Sequence, residues 1–410
     1  MMKNNILLLF LILALSACTN QLKKPIDSTL PILDLTKDYP KKELDIHEIA
    51  DVEYIPLETN DSSLIKMAAK IMISDKYIIT YDFRGPVFIF DRKGKHIRSI
   101  NHYGQGPKEH NHIFFVAVDF KKEEYYVHTI NNKIQVYDFY GEWKRTLKYS
   151  EGIFYDYFFD CNERYFISVN EYHDLTKAHL AKKYPERFNN IPIDLMPYHL
   201  IDKETWNYTP LPITIKEWMS TTFDADIVRI DEYTAAIESN FLNIPRILAN
   251  GHDFLIPEFS KDTLYTYKDN RLTPLAVRYP SVHSTETPVV ISPFYYTDDY
   301  LFFKPVALKV DDKNYQYKSY DEAPLLMWNR KNNEIQHITY FYDSNIQGGR
   351  AILANMKNQW IEQPNCAMNG IPAYQLCEAY EAGKLKGKLK EVASKLKEDD
   401  NDVIIIYKFK

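Results

Sequence analysis

The sequence predicts an all-β fold, a six-bladed β-propeller, and three observations support this prediction. A unit of alternating strand, polar turn and second strand recurs five times along the chain. The 410 residues include 32 tyrosines, and aromatic side chains pack well on a pleated sheet. A strand without a partner stands near each end, so that pairing the two would close a ring and remove exposed sheet edges.

The five repeats are recognised by turns rich in Gly, Asn and Asp, which tolerate the positive φ of tight hairpins. The repeats occupy residues 87–100, 134–147, 198–211, 262–277 and 325–340. Their turns are roughly 47 to 67 residues apart, whereas propeller repeats are usually about 40 to 50 residues long. The longer intervals predict insertions, and residues 173–192, which lack alternation, are expected to contain a short helix.

The two chain ends predict the sixth blade. The strand at 52–58 (VEYIPLE) lacks a preceding partner, and the strand at 403–409 (VIIIYKF) lacks a following one. Their pairing would complete the ring, and no further repeat that could form a seventh blade is found.

One helix is expected inside this last blade, over about residues 373–398. Its apolar side chains form one stripe, and lysines occupy the other face. The stripe consists of Leu385, Leu389, Val392 and Leu396. We expect the stripe to pack on the propeller, and the alternative is that the basic helix binds a membrane surface.

The N-terminus has the features of a targeting segment. Residues 1–17 contain Lys3 and then an apolar run that is too short to be a good membrane span. The run ends in Leu-Ser-Ala-Cys, which resembles the lipobox of bacterial lipoproteins, and this resemblance implies cleavage and acylation, for example by palmitate, at Cys18. The alternatives are an ordinary secretory signal with a chance cysteine and a retained membrane helix.

Residues 18–44 are predicted to form a tether, and residues 45–410 the propeller. Thr19 and the absence of a nearby acidic cluster favour an anchor in an outer membrane, facing the periplasm. In an oxidising compartment Cys366 and Cys377 could form a disulfide, although three buried free thiols, Cys161 included, are an equal alternative. No spacing of the cysteines indicates zinc.

Four segments carry a resemblance to a known family, namely residues 51–59, 93–109, 259–267 and 397–410. They resemble the NHL-like six-bladed β-propeller lipoproteins of gut and oral anaerobes, and the likeness covers about residues 45–410. The family pattern Gly-x-Gly-Pro-Gly-Glu-Tyr is altered here at Lys108 and His110, and the usual Asn-Pro near the end is Asn401-Asp402. The resemblance implies the fold and the lipid anchor, and it implies little about activity.

Residues 101–113 (NHYGQGPKEHNHI) allow three interpretations. A phosphate loop is disfavoured, because Pro107 removes an N–H group and a strand rather than a helix follows. A metal site that uses His102, His110, His112 and Glu109 has no supporting spacing. We therefore predict a crossover turn that links the outer strand of one blade to the inner strand of the next.

Loops on a rigid scaffold are also where binding residues collect. The candidate residues of a ligand face near the central funnel are Arg84, Gln105, Lys108, Glu109 and His110, and the alternative is a purely structural loop.

The net charge of −6 gives no electrostatic case for nucleic acid. The sequence lacks the Gly-x-Ser-x-Gly and HExxH motifs, and no metal or other cofactor is expected. The leading hypothesis is a monomeric, lipid-anchored, non-catalytic binding or scaffolding module for an envelope protein, a peptide or a glycan. The alternative is a metal-dependent hydrolase or lactonase with its site in the central channel, and a third hypothesis is a signalling partner for an outer-membrane transporter.

Overall fold

The computed structural model of the chain is an all-β ring of six blades, as the sequence predicts. The structure describes residues 29–65, 70–82, 85–110, 113–129, 133–150, 152–155, 157–176, 183–188, 193–229, 235–242, 244–308, 323–348 and 359–410. The predicted signal peptide, Cys18, Arg84 and His112 lie outside these residues. In the described parts of the chain, no helix is long and apolar enough to cross a membrane.

An N-terminal strap, which we define as residues 29–49, lies along the outer edges of two blades. Strand β1 (Ile32–Asp34) pairs in parallel with the last strand of blade 4, and β2 (Lys41–Asp45) pairs in parallel with the last strand of blade 5. Helix α1 (Ile46–Ile49) then leads into β3 (Ala50–Pro56), which belongs to blade 6.

The prediction of a tether over residues 18–44 is therefore wrong for the two segments that form β1 and β2. Leu33 and Leu44 are fully buried in the core, and the backbone of each segment covers an otherwise open sheet edge. These strands could not be predicted, because so few apolar residues in segments that also contain prolines do not show a strand period.

Blades 1 to 3 each contain four antiparallel strands that follow in chain order, and the sheet of blade 1 gains a fifth, parallel strand, Gln359–Ile361, from near the end of the chain. Blade 1 contains β4 (Ile71–Ile73), β5 (Tyr77–Tyr81), β6 (Val87–Asp91) and β7 (His96–Ile100). Blade 2 contains β8 (Ile113–Asp119), β9 (Glu124–Thr129), β10 (Lys133–Asp138) and β11 (Trp143–Lys148). Blade 3 contains β12 (Phe159–Asp160), β13 (Tyr165–Val169), β14 (Tyr198–Asp202) and β15 (Tyr208–Pro210).

Two insertions belong to blade 3. Helices α2 (Tyr172–Thr176) and α3 (Pro185–Phe188) lie between its second and third strands, in the stretch where a short helix is predicted. A separate hairpin of β16 (Thr222–Arg229) and β17 (Ala235–Phe241) follows the blade, and the sequence pattern did not reveal it.

Blades 4 and 5 have the same order and gain the strap as a fifth strand. Blade 4 contains β18 (Leu248–Asn250), β19 (Asp253–Ile256), β20 (Thr263–Lys268) and β21 (Arg271–Tyr279). Blade 5 contains β22 (Val289–Tyr296), β23 (Tyr300–Ala307), β24 (Leu325–Asn329) and β25 (Glu334–Tyr342).

Blade 6 closes the ring as predicted. Its sheet consists of β27 (Cys366–Ile371), β28 (Val403–Phe409) and the N-terminal β3, and β28 pairs antiparallel with β27 on one side and with β3 on the other. The strand before β27 in the chain, β26 (Gln359–Ile361), pairs in parallel with β4 of blade 1 and thus links the last blade to the first. The first strands of blades 2 and 3 contact each other, as do those of blades 4 and 5, and β26 contacts both β4 and β18.

The helical segment of blade 6 consists of two helices instead of the single one predicted. They are α4 (Ala373–Glu381) and α5 (Gly387–Ala393). Gly383 adopts φ +68°, and the N–H of Lys384 donates to the Ala379 carbonyl, which is a Schellman ending. Leu385 and Leu389 are buried against the propeller, so the expected packing of the apolar stripe is confirmed.

The three described cysteines are free and buried. Of the two alternatives for Cys366 and Cys377, the structure has the free thiols and not the disulfide. Burial raises the pKa of Cys161 to about 12 and that of Cys366 to about 11, so both are neutral thiols near pH 7.

Candidate binding cleft

Residues 101–110 connect the outermost strand of blade 1 to the innermost strand of blade 2, so the predicted crossover is confirmed. The loop lies on the third strand of blade 2. Gln135 Nε2 donates to the Pro107 carbonyl at 3.1 Å, and the Tyr137 hydroxyl donates to the Lys108 carbonyl at 2.8 Å. These bonds hold the loop against the outer half of the blade.

The glycines of this loop make room for a carboxylate. Glu109 Oε2 accepts the N–H of Gly106 at 2.8 Å, and a Cβ on Gly104 would lie 2.0 Å from the same oxygen. The glutamate of the Gly-Gln-Gly-Pro-Lys-Glu motif therefore accepts a hydrogen bond from the backbone of the same motif. The glycines make room for this carboxylate and do not indicate a site for an external anion.

The two described histidines of the loop pack against Tyr137. His102 stacks on its ring at 4.5 Å, and its Nε2 lies 2.8 Å from the Gly141 carbonyl oxygen. His110 is 2% exposed with Nδ1 3.3 Å from the Tyr137 hydroxyl, and burial lowers the pKa of His110 to about 4. His110 is therefore neutral near pH 7 and serves the packing of the loop.

The other predicted ligand residues are on the surface. Gln105, Lys108 and Glu109 are exposed, and Lys108 Nζ lies 4.8 Å from the centre of the Trp143 ring. Trp143 is the first residue of the outermost strand of blade 2, so these side chains lie towards the rim of the disc and away from the axis. Ligand binding by them stays a prediction.

One end of the axis is filled by a side chain from β26. Trp360 is 3% exposed, its Nε1 donates to the Gly251 carbonyl of blade 4 at 3.1 Å, and its ring stacks 5.6 Å from Phe120 of blade 2. The tryptophan thus bridges blades across the ring. Among the described residues, no three His, Cys, Asp or Glu side chains are grouped as a metal site would require.

The most deeply buried charges hold blades together. Lys203 Nζ lies 2.7 Å from Asp119 Oδ2 and 2.7 Å from Asp160 Oδ1, and all three side chains are enclosed between blades 2 and 3. Burial raises the pKa of Asp160 to about 6, because one lysine must serve two carboxylates away from water.

A second enclosed charge fastens the insertion of blade 3. Arg246 lies 3.9 Å from the centre of the Trp218 ring and 4.4 Å from that of Phe259, and it donates to the Met219 carbonyl at 2.7 Å. Asp174 of α2 approaches its guanidinium at 3.9 Å. Neither of these clusters is accessible to a ligand, since Lys203 and Arg246 are each 1% exposed.

An open cleft of about 550 Å³ lies where blade 6 meets blade 1, and we call it the lysine cleft. Its walls are the turn between β6 and β7 on one side and helix α5 with the following turn on the other, and the end of β3 forms its floor. The lining residues are Tyr54, Pro56, Leu57, Glu58, Thr59, Lys93, Gly94, Lys95, Lys388, Glu391, Val392, Lys395, Leu396 and Asp400. This volume is within the range of about 300–1,000 Å³ that is usual for ligand pockets.

The four lysines of the cleft are exposed, and none forms an ion pair with any residue that the structure describes. Two of the three lining acids are engaged by backbone donors. Glu58 Oε2 accepts the N–H of His96 at 2.8 Å, and Asp400 Oδ2 accepts the N–H of Lys397 at 2.8 Å. These bonds fix the two carboxylates without neutralising them, so the lining holds four ammonium groups against three carboxylates and has an excess of one positive charge.

The sequence pointed to only one wall of this cleft. Residues 384–397 contain six lysines and one glutamate, and this run marked α5 as a basic helix. Lys93 and Lys95 belong to an ordinary hairpin turn, and no local pattern indicated that the turn faces the helix. The juxtaposition follows from ring closure, which brings residues about 300 positions apart into contact.

Comparison with known proteins gives one family match. A family model described as Domain of unknown function (DUF4934) matches residues 30–408. No curated protein matches the sequence. A solved structure of a candidate exported protein from Bacteroides fragilis NCTC 9343 is similar over 92% of this chain and 99% of that chain, with 12% identity and a TM-score of 0.57, which shows a shared fold alone.

A second similar structure is dihydro-heme d1 dehydrogenase NirN in complex with DHE. It has 10% identity, covers 65% of this chain and 56% of that chain, and has a TM-score of 0.32, which is too low to support an inference.

Proposed function

The chain belongs to the family described as Domain of unknown function (DUF4934), and from this premise we propose that it is an exported propeller that acts as a non-catalytic binding module of the cell envelope. The observation that carries this proposal is the lysine cleft, where four ammonium groups without ion pairs in the described structure surround a floor with apolar residues. The partner is an anionic protein, peptide or glycan, bound by a monomer.

Export of a structural neighbour supports an envelope location. We further propose that Cys18 is acylated and that the anchor lies in an outer membrane with the propeller in the periplasm. The N-terminal sequence supports this part, since a short apolar run leads directly to Leu-Ser-Ala-Cys. Labelling of the expressed chain with an alkyne-bearing palmitate analogue tests it. Loss of label in Cys18→Ser is expected, and retained label would refute acylation at this residue.

A binding experiment tests the module itself. The purified protein is passed over immobilised polyglutamate, polygalacturonate and a neutral dextran. We expect retention on at least one acidic polymer and none on the neutral one. The variant K93E/K95E/K388E/K395E should lose this retention, because reversed charges repel the acids.

The matched control is K76E/K133E/K148E/K216E, which makes the same charge change at four exposed lysines outside the cleft. This control should be retained like the wild type. Equal loss in both variants would mean that net charge alone governs binding, and it would contradict the proposal.

A further inference from the structure

We propose that the lysine cleft docks an acidic peptide segment of a partner protein, one in which apolar side chains are interspersed among the carboxylates. This inference rests on the proposed function and names the chemical class of the partner. It follows from three properties of the cleft, which are its unbalanced charge, its floor and its position in the ring.

The charge of the walls favours an acidic partner. Lys93 and Lys95 face Lys388 and Lys395 across the cleft, so ammonium groups stand on both sides of whatever enters. The backbone N–H groups fix the carboxylates of Glu58 and Asp400 in place but leave them charged, so the four ammonium groups exceed the three lining carboxylates by one positive charge, which a carboxylate from outside can balance. Complementary charge of this kind directs the encounter and excludes basic partners.

The floor favours a peptide over a polysaccharide. Pro56 is exposed and Val392 and Leu396 are partly exposed, and the stems of the lysines extend this apolar surface. Leucine-like side chains of a partner would remove it from water, which a uniformly charged polymer cannot do. Tyr54 is the one lining ring, and it is buried with its hydroxyl donating to Asp343 at 3.0 Å, so a sugar meets no open aromatic face.

The position in the ring favours a partner other than the anchoring bilayer. The strap enters the propeller at the outer edge of blade 4, which stands opposite blade 1 in a ring of six. The lysine cleft lies between blades 6 and 1, on the other side of the ring from β1, where the strap begins. A segment of another envelope protein can therefore reach the cleft away from the point at which the chain enters the propeller.

Fluorescence anisotropy with defined probes tests the assignment. The first probe is a labelled peptide with leucines spaced among glutamates, and the second has every leucine replaced by glycine. Polygalacturonate and vesicles that contain phosphatidylglycerol are added as competitors. We expect the leucine-bearing probe to bind about tenfold more tightly than its glycine counterpart, which corresponds to about 1.4 kcal/mol.

Two variants locate the effect. K93E/K95E/K388E/K395E should abolish binding of both probes, and the nearly isosteric Val392→Thr should weaken the leucine-bearing probe alone. Equal affinity for the two probes, or displacement by polygalacturonate or vesicles at lower concentration than by unlabelled peptide, would overturn the peptide assignment. Lysine-dependent binding of polygalacturonate without peptide binding would leave the binding module standing, whereas the absence of any lysine-dependent binding would refute both.

Discussion

Lys203 and the lysines of the cleft are the same residue type in opposite situations. Lys203 is 1% exposed and its ammonium group touches two carboxylates at 2.7 Å, whereas Lys93, Lys95, Lys388 and Lys395 are exposed and touch none among the described residues. The ammonium group of Lys203 holds two blades together. Charged side chains that make no ion pair within the fold are better indicators of a binding function than buried, paired ones, even where no sequence motif marks them.

The largest expected effect on stability comes from removing the ammonium group of Lys203. Lys203→Met leaves Asp119 and Asp160 enclosed without a counter-charge, so we expect the free energy of unfolding to fall by about 3–5 kcal/mol in urea denaturation. Lys121→Met is the control, since that lysine is 70% exposed and water screens its pairing with Glu163, so we expect little change in stability. A loss below about 1 kcal/mol for Lys203→Met would erase the contrast with the cleft.

Like Lys203, His110 of the crossover loop is a buried group that contributes to the fold. A pH titration of stability tests this. Burial lowers the pKa of His110 from 6.5 to about 4, so the unfolded chain binds a proton that the folded chain refuses between these values. Stability from this group is complete above about pH 6.5 and declines as the pH falls towards about 4, by up to about 3 kcal/mol. The expected result is a smaller acid-induced loss in His110→Gln than in the wild type.

In that titration, only the difference between the wild type and His110→Gln reports on His110. Burial raises the pKa of Asp160 from 3.8 to about 6, so the contribution of Asp160 falls as the pH rises through the same window and partly masks that of His110. Parallel pH curves for wild type and variant would show that His110 is accessible to protons in the folded state.

A smaller effect is expected from the glycine loop. Gly104→Ala pushes the Glu109 carboxylate off the Gly106 N–H, which should cost about 1 kcal/mol of stability. In a Glu109→Ala background the same substitution should cost much less, because the clashing atoms are gone, and a double-mutant cycle measures this coupling. Additive changes in the free energy of unfolding would mean that Gly104 is not needed to make room for the Glu109 carboxylate. Binding of acidic probes should be unchanged in all three variants.

The smallest effect on stability is expected for the cleft itself. K93E/K95E/K388E/K395E should lower the free energy of unfolding by less than about 1 kcal/mol, because exposed lysines without ion pairs contribute little to the fold and the reversed charges at 388 and 395 add only surface repulsion with Glu391. Calorimetry of the variant beside K76E/K133E/K148E/K216E measures this. A large destabilisation would show that the cleft lysines are structural after all, and the comparison with Lys203 would fail.

The sequence predicted the fold because the signal is local and repeated. Each hairpin turn, such as Asp269-Asn270 with φ of +48° and +59°, carries its own residue preference, and five such turns reinforce one another. The pairing of β3 with β28 was predictable from two strands that lacked partners. The pairing of the strap could not be predicted, because Leu33 and Leu44 are single buried residues in short segments. Their strands pair with sheet edges that are distant in the sequence, so no local pattern indicates the pairing.

The candidate site was predictable only in part, for the same reason. The sequence directed attention to Gln105, Glu109 and His110, because two glycines and a proline stand out in a string of letters. The structure assigns their neighbourhood largely to self-contained hydrogen bonds. Lys388 belongs to a basic run that is visible in the sequence, whereas Lys93 lies in an ordinary hairpin turn, and the two acquire a shared role only when ring closure brings the first blade beside the last.

The strap also determines how the molecule responds to force. A pull on the chain ahead of residue 29 reaches β1 first, which has three residues, and then β2, which has five. The seven paired positions between β3 and β28 that close the ring are loaded last. Under such a load the two short edge strands should detach from blades 4 and 5, and the chain should extend, before tension reaches the pairing of β3 with β28.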